Sequence, residues 1–590
     1  MRRIAQVYLT ALALTTSTAS LAFQPPPAQC LIKEEPIPFT KNYSNADILY
    51  LSLTAEYALH RNQPLFALEQ YYAASMLTQN AELAKRALEI ALQLENNNYA
   101  IQMALIFATQ EKTNIQAQLI AGTLLLSHDT NAALAFFKQA LFLDPPHVYE
   151  PIAAIFKKLN IQNQTELKNL LTTLAQELPT NPYAQFLAAQ ALFQAENLST
   201  AATFNKNTLQ TLPSFVPALE LKAKLIAAES KNPKKVLSFL NQSLQRYPQL
   251  HDLRWFYILT LLEDEQISPA IAQLKLLQKK PAYKNKATLF LAEIYLQTKQ
   301  NALVQTSLAP LIKDPEYGYI ARFILGENAQ NTQDFDEALQ WYTTVVQGPY
   351  HIPAYLQAVN ILRQQAAFTD AIDLLHKANP TTIQEQKELL LTEIDILLFL
   401  KNYSSAITLL EKELKYNPND TDYLYALSVV TGQDNQIELS ENYLRAVLEQ
   451  NPEHLEALNA LAFVLLQQNK HLPEATALLQ HALQLAPDNP VIIDSMGWLK
   501  YQTGDLQESL QYLQKAHALT EDADIAAHLG EVLWHLGDKH AAMDIWARAF
   551  YMASENEALL QTLKRFQVNL PLLTPTLLAP TLLTPVSSSP

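Results

Sequence analysis

A fixed shift of 33 residues governs the C-terminal part of this sequence: Gly497 and Gly504 return as Gly530 and Gly537. At the same shift Ser509, Leu513 and Ala516 return as Ala542, Trp546 and Ala549, a small residue, a bulky one and a second small one. That order suits two helices packed closely against each other. Gly or Ala at the crossing lets the axes approach to about 8–10 Å, and the bulky side chain of the second helix fills the remaining gap. One such hairpin leaves an apolar side bare, so neighbours must stack on it. The chain then becomes a row of hairpins, although 590 residues would otherwise suggest about four globular domains.

The same internal spacing recurs upstream in Gly326, Ala338, Tyr342 and Val345, in Ala121, Ala133, Phe137, Ala140 and Pro145, and in Ala55, Ala67, Tyr71 and Ala74. Looser units end at Pro213, Pro248, Pro418 and Pro487, where proline stops a helix because it lacks the N–H that the next turn needs. Between them, apolar residues lie three and four apart, and clusters of Asn, Asp, Pro and Lys mark the turns. The pattern resembles the tetratricopeptide repeat (TPR), which implies an all-α fold, a TPR superhelical solenoid of antiparallel helix hairpins. Residues 46–565 have room for about 15 such units, and the clearest lie in 457–550. The residues carrying the structural signature are Gly326, Ala338, Tyr342, Gly497, Gly504, Gly530, Gly537, Ala542 and Trp546.

Composition removes several function classes. Only 9 residues are glycine and no G-x-G triplet occurs, which argues against phosphate-cradling loops, nucleophile elbows and architectures built on many tight turns. The formal net charge of −15 repels polyanions, so nucleic acid is not an expected partner. His528, Glu531 and His535 share one helical stripe, but the spacing is not that of H-E-x-x-H, and ordinary helix-surface residues are the reading. No catalytic residue, cofactor-binding residue or metal ligand is nominated, and the chain is not read as an enzyme.

The ends differ in composition from the middle. Residues 1–22 have a basic start at Arg2 and Arg3, an apolar stretch from Ile4 to Leu14 and a small-residue site at Ser20-Leu21-Ala22, the layout of an export signal cleaved after Ala22. A proline-rich leader arm occupies 23–45, and no later segment is apolar enough to span a membrane. Cys30 is the sole cysteine; an outer-membrane tether through it is disfavoured by Gln29 directly before it. Residues 566–590 form a Leu/Pro/Thr-rich tail with proline at every fifth position from Pro575 to Pro585, read as disordered, with a docking peptide as the alternative.

The stretches Ala457 to Ala462, Leu485-Ala486-Pro487-Asp488, Ile493 to Trp498 and Ala526 to Trp534 resemble a proteobacterial envelope family of large TPR proteins. That resemblance implies a periplasmic scaffold, in some members associated with the outer membrane, whose partners are other envelope proteins or peptides. Some members act as adaptors that bring substrates to carboxyl-terminal processing proteases. A scaffold for envelope polysaccharide export or pilus assembly is the alternative. The repeat register places Asn459, Asp494, Trp498, Tyr501, Glu531 and Trp534 on the groove side of the first helices. There the amide and carboxylates would bond a peptide backbone, and the aromatics would supply contact area. On that reading, Asp494→Ala with Glu531→Ala loses binding and spares folding.

Overall fold

A computed structural model describes residues 44–126, 128–158, 164–468 and 471–568. The export signal, Cys30, nearly all of the leader arm and nearly all of the Leu/Pro tail lie outside the described residues. Among the described residues there are 31 α-helices, the first Asn45–His60 and the last Glu557–Arg565, with one short 3-10 turn at Ala309–Leu311 and no strand. Two compact units result, one ending at Ile324 and the other beginning at Leu325. Each is a solenoid of stacked antiparallel hairpins with its core spread along the stack. No helix among the described residues is long and apolar enough to cross a membrane.

Local sequence explains why the helices begin where they do. Asn80, Asn96, Asn114, Asp129 and Asn181 in the first unit accept hydrogen bonds from backbone N–H groups of the turn that follows, as do Asp334, Asn402, Asp420, Asn489 and Asp522 in the second. Each satisfies N–H groups that have no partner within the helix, which stabilises a helix by about 1 kcal/mol. Pro182, Pro233 and Pro490 sit in the first turn, where a missing N–H costs nothing. Pro213, Pro248, Pro418 and Pro487 lie just past the second helices, as the spacing required.

The crossings are tight where the signature predicts. Ala338, Tyr342, Ala542 and Trp546 are fully buried. A Cβ placed on Gly326 would lie 2.5 Å from Tyr342 Cε1, on Gly497 2.7 Å from Leu513 Cγ, and on Gly530 2.5 Å from Trp546 Cε2, all inside van der Waals contact. Trp546 is further fixed by its indole N–H, which donates to the Ala527 carbonyl at 3.2 Å.

Gly504 and Gly537 do a different job: both have open space around them and φ near +90°, so they shape the turn between the two helices. The equivalent turns upstream have left-handed backbone without glycine, at Glu265, Lys299, Gln333, Ala366, Lys401, Asn435 and His471. From Glu265 to Gly537 these positions recur every 33 to 36 residues. The scarcity of glycine therefore does not mean a scarcity of tight turns, contrary to the expectation from composition. Thirteen non-glycine residues among the described residues take a positive φ, and packing of the flanking helices enforces it.

Candidate partner-binding site

Three successive first helices, Pro490–Gln502, Ala523–His535 and Glu557–Arg565, carry most of the nominated residues, and their side chains meet across the repeats. Both carboxylate oxygens of Asp494 lie 3.0 Å from His528 Nδ1. Trp498 is sandwiched between Tyr501, with ring centroids 4.8 Å apart, and His528, at 4.1 Å. The Tyr501 hydroxyl donates to Glu531 Oε1 at 2.9 Å and lies 3.3 Å from His535 Nδ1. Glu531 is also paired with Arg565 of the last helix. Trp534 stacks on Trp546 at 5.7 Å and on Phe566, with Lys539 Nζ over its ring.

The electrostatics fit a set of internal ties. Burial pulls the His528 imidazole down, but the Asp494 hydrogen bond and the charges of Asp494, Glu531 and Asp524 outweigh it, leaving the group above its ordinary value. Burial, reinforced by the hydrogen bond to Glu531, pushes the Tyr501 hydroxyl up to about 12, so it stays a donor. Asp494 and Glu531 are 8% and 3% exposed, and their acceptor capacity is already engaged.

The structure brings Asp494, Trp498, Tyr501, Glu531 and Trp534 onto neighbouring first helices, with both carboxylates bonded to groups of the chain itself. They bind neighbouring repeats, since each reaches a basic side chain 34 residues along, so the expectation that Asp494→Ala with Glu531→Ala spares folding meets two inter-repeat ties that this variant would remove. Asn459, in Leu455–Gln467, stands apart; its side-chain oxygen is buried and has no hydrogen-bond partner among the described residues. The stripe of His528, Glu531 and His535 is likewise taken up within the chain, as His535 Nδ1 lies 3.0 Å from the Glu531 carbonyl. Among the described residues no cluster of three His, Cys, Asp or Glu side chains is arranged to hold a metal.

Uncommitted polar groups occur elsewhere in the second unit. Gln357, Asn360, Arg363 and Gln364 form one stripe of the helix His351–Gln364 and line an open groove of about 550 Å³ with Gln330, Phe368 and Phe399. Among the described residues no hydrogen bond or ion pair engages the side chains of Gln357, Asn360, Arg363 or Gln364. Phe368 and Phe399 close one edge, 5.0 Å apart, with Phe399 66% exposed. The signature of Gly or Ala at the crossing does not mark this stretch, because Val359 stands there. The available signal was the spacing of amides and Arg363 along a single helical stripe, with Phe399 ending the next first helix.

The family profile described as "Tetratricopeptide repeat" matches residues 432–490, which span most of two hairpins. A TPR repeat-containing protein of Pseudomonas aeruginosa is 26% identical over 508 residues, 86% of each chain. The chain is similar in sequence to tetratricopeptide-repeat proteins and folds as a solenoid of helix hairpins. The TPR profile covers Ile437–Gln450 to Leu472–Leu485, just before the glycine-marked pair. Among solved structures, a thermophilic TPR protein of Thermus thermophilus is 21% identical, with a TM-score of 0.28, covering 31% of this chain and 99% of that one. The Cut9–Hcn1 hetero-tetramer of APC/C is 13% identical, with a TM-score of 0.32, covering 88% and 96%.

Proposed function

We propose that this chain is a non-catalytic scaffold of the bacterial cell envelope that holds extended protein segments and presents them to a periplasmic carboxyl-terminal processing protease. TPR chains are protein–protein interaction scaffolds, and the observation that carries the reading here is the stripe Gln357, Asn360, Arg363 and Gln364, whose hydrogen-bonding groups are left unspent beside an exposed aromatic pair. The export-signal pattern of residues 1–22 supports an envelope location. The acidic balance of −15 suits a protein partner better than nucleic acid.

Cross-linking in intact cells, followed by purification of the full chain from an envelope extract, tests the reading. A protease recovered with the chain, whose cleavage of a shared substrate slows when the chain is deleted, is the expected result. Recovery of a secretion-channel or pilus component in its place overturns the adaptor role and supports the alternative scaffold. A chain that keeps Met1 in cells overturns export.

A further inference from the structure

We infer that the groove lined by Gln330, Gln357, Asn360, Arg363 and Gln364 is a binding site for an extended polypeptide segment carrying one acidic side chain, for Arg363, and one aromatic or branched apolar side chain, for the Phe368/Phe399 pair. This deepens the scaffold reading and rests on it.

Spacing supports a peptide. Asn360 and Gln364 are four residues apart on one helix, a rise of about 6 Å. Alternate residues of an extended strand repeat at about 6.6 Å, so a segment running along the helix axis brings successive outward-facing peptide groups to the two amides. Each amide offers both a donor and an acceptor, which matches the paired N–H and C=O of a backbone and does not select a side chain. Gln330 extends the line from the helix Gly318–Asn331, though its oxygen already accepts from the Tyr342 hydroxyl at 2.8 Å, leaving its N–H groups to donate. A volume of about 550 Å³ lies within the range of small-ligand sites, roughly 300–1,000 Å³, and suits a few residues of a longer chain.

Charge and apolar area supply selectivity. Arg363 is the groove's cation and is joined to no carboxylate among the described residues. The nearby Asp395 is itself pushed up by burial, with the charge of Arg363 pulling it partly back. A planar guanidinium in that state can take a carboxylate through two parallel hydrogen bonds. At the edge, Phe399 exposes two-thirds of its surface on an otherwise polar rim, and Phe368 packs beside it to give a flat apolar seat. The contrast with the C-terminal hairpins is direct. There the inner-face carboxylates are paired with His528, Arg565 and Tyr501, whereas here the side chains of Gln357, Asn360, Arg363 and Gln364 have no hydrogen-bond or ion-pair partner among the described residues.

The test is selection of a displayed random peptide library on the purified full chain, followed by Kd measurements of enriched peptides with wild type, Asn360→Ala, Arg363→Ala and Phe399→Ala. Asn360 and Phe399 lie on the surface, and circular dichroism melting confirms that the variants fold. Enriched peptides should combine an acidic residue with an aromatic or branched one and should bind each variant about tenfold more weakly or worse. Replacing the peptide's acidic residue should abolish the further effect of Arg363→Ala, as a double-mutant cycle requires of a direct pair. Peptides that bind all three variants as tightly as wild type overturn the groove and leave the scaffold reading standing. A selection that enriches nothing, with binding instead on an oligosaccharide array lost in Phe399→Ala, overturns the peptide assignment and the scaffold reading together.

Discussion

Gly530→Ala adds one methyl group, and the structure says where it goes. The new Cβ falls inside the Trp546 indole, 2.5 Å from Cε2 and 2.7 Å from Cδ1. Trp546 is fully buried, and turning away would break its hydrogen bond to the Ala527 carbonyl, at about 1–3 kcal/mol for a buried donor left unpaired. The alternative is for the two helices to part, with an overpacking cost of about 1–3 kcal/mol. Alanine returns about 1 kcal/mol of helix propensity, so the net loss should be about 0–2 kcal/mol. Gly432→Ala is the control, because its Cβ meets only the Ser440 side chain, with Oγ at 3.2 Å, and the same propensity gain should leave stability unchanged or raised by up to about 1 kcal/mol. Hydrogen exchange with peptide resolution reads both. Repeat stacks lose stability locally, so Gly530→Ala should lower protection over residues 523–552 and leave the first unit unchanged. Equal protection in the two variants would refute the crossing argument.

Glu531→Ala should destabilise the C-terminal hairpins by about 1–2 kcal/mol, because Tyr501 and Arg565 lose their shared acceptor; an unchanged thermal melt would show that the tie contributes nothing. Burial pushes the Glu327 carboxyl up to about 7, above its value in the unfolded chain, so its contribution to stability is full below about pH 4.5 and is lost as pH rises through 7. Glu327→Gln should therefore melt higher than wild type at about pH 8 and equally at about pH 4. Ala366 holds φ at +57°, where a side chain costs about 1–2 kcal/mol, so Ala366→Gly should raise stability by about 0.5–1 kcal/mol after the entropy of glycine is counted, as read by denaturant unfolding.

The hairpin fold was legible because its rule is steric. Ala338 beneath Tyr342, or Ala542 beneath Trp546, can be read from size and spacing alone, and both pairs are fully buried. Legibility faded where the same geometry was achieved with residues that carry no compositional mark. The left-handed turns at Glu265, Lys299 and Gln333 keep the period as faithfully as Gly504 and Gly537 do, yet Glu, Lys and Gln announce no turn. The candidate site shows the same division. Helical spacing was enough to gather Asp494, Trp498, Tyr501 and Glu531 on one face. Whether a carboxylate on that face is free depends on a basic side chain one repeat away, as with His528 and Arg565, and that is a long-range fact which the periodicity of one helix does not contain. The groove at Asn360 and Arg363 was missed for the converse reason: it is defined by partners that are missing.

The short helix Glu557–Arg565 buries Leu559 and Leu563 against the last full hairpin and turns Glu557, Gln561 and Lys564 outward, while Phe566 lies over Trp534 and Trp546. A stacking fold carries an inherent hazard, since the surface that welcomes the next repeat would equally welcome one from another molecule, and head-to-tail contact of that kind does not close on itself and grows into fibres. This helix fills the place of an incoming repeat, and Glu557, Gln561 and Lys564 surround the exposed Leu560 with polar groups, a poor seat for another hairpin. Nine residues thus put a largely polar face where the last full hairpin would otherwise present an apolar one.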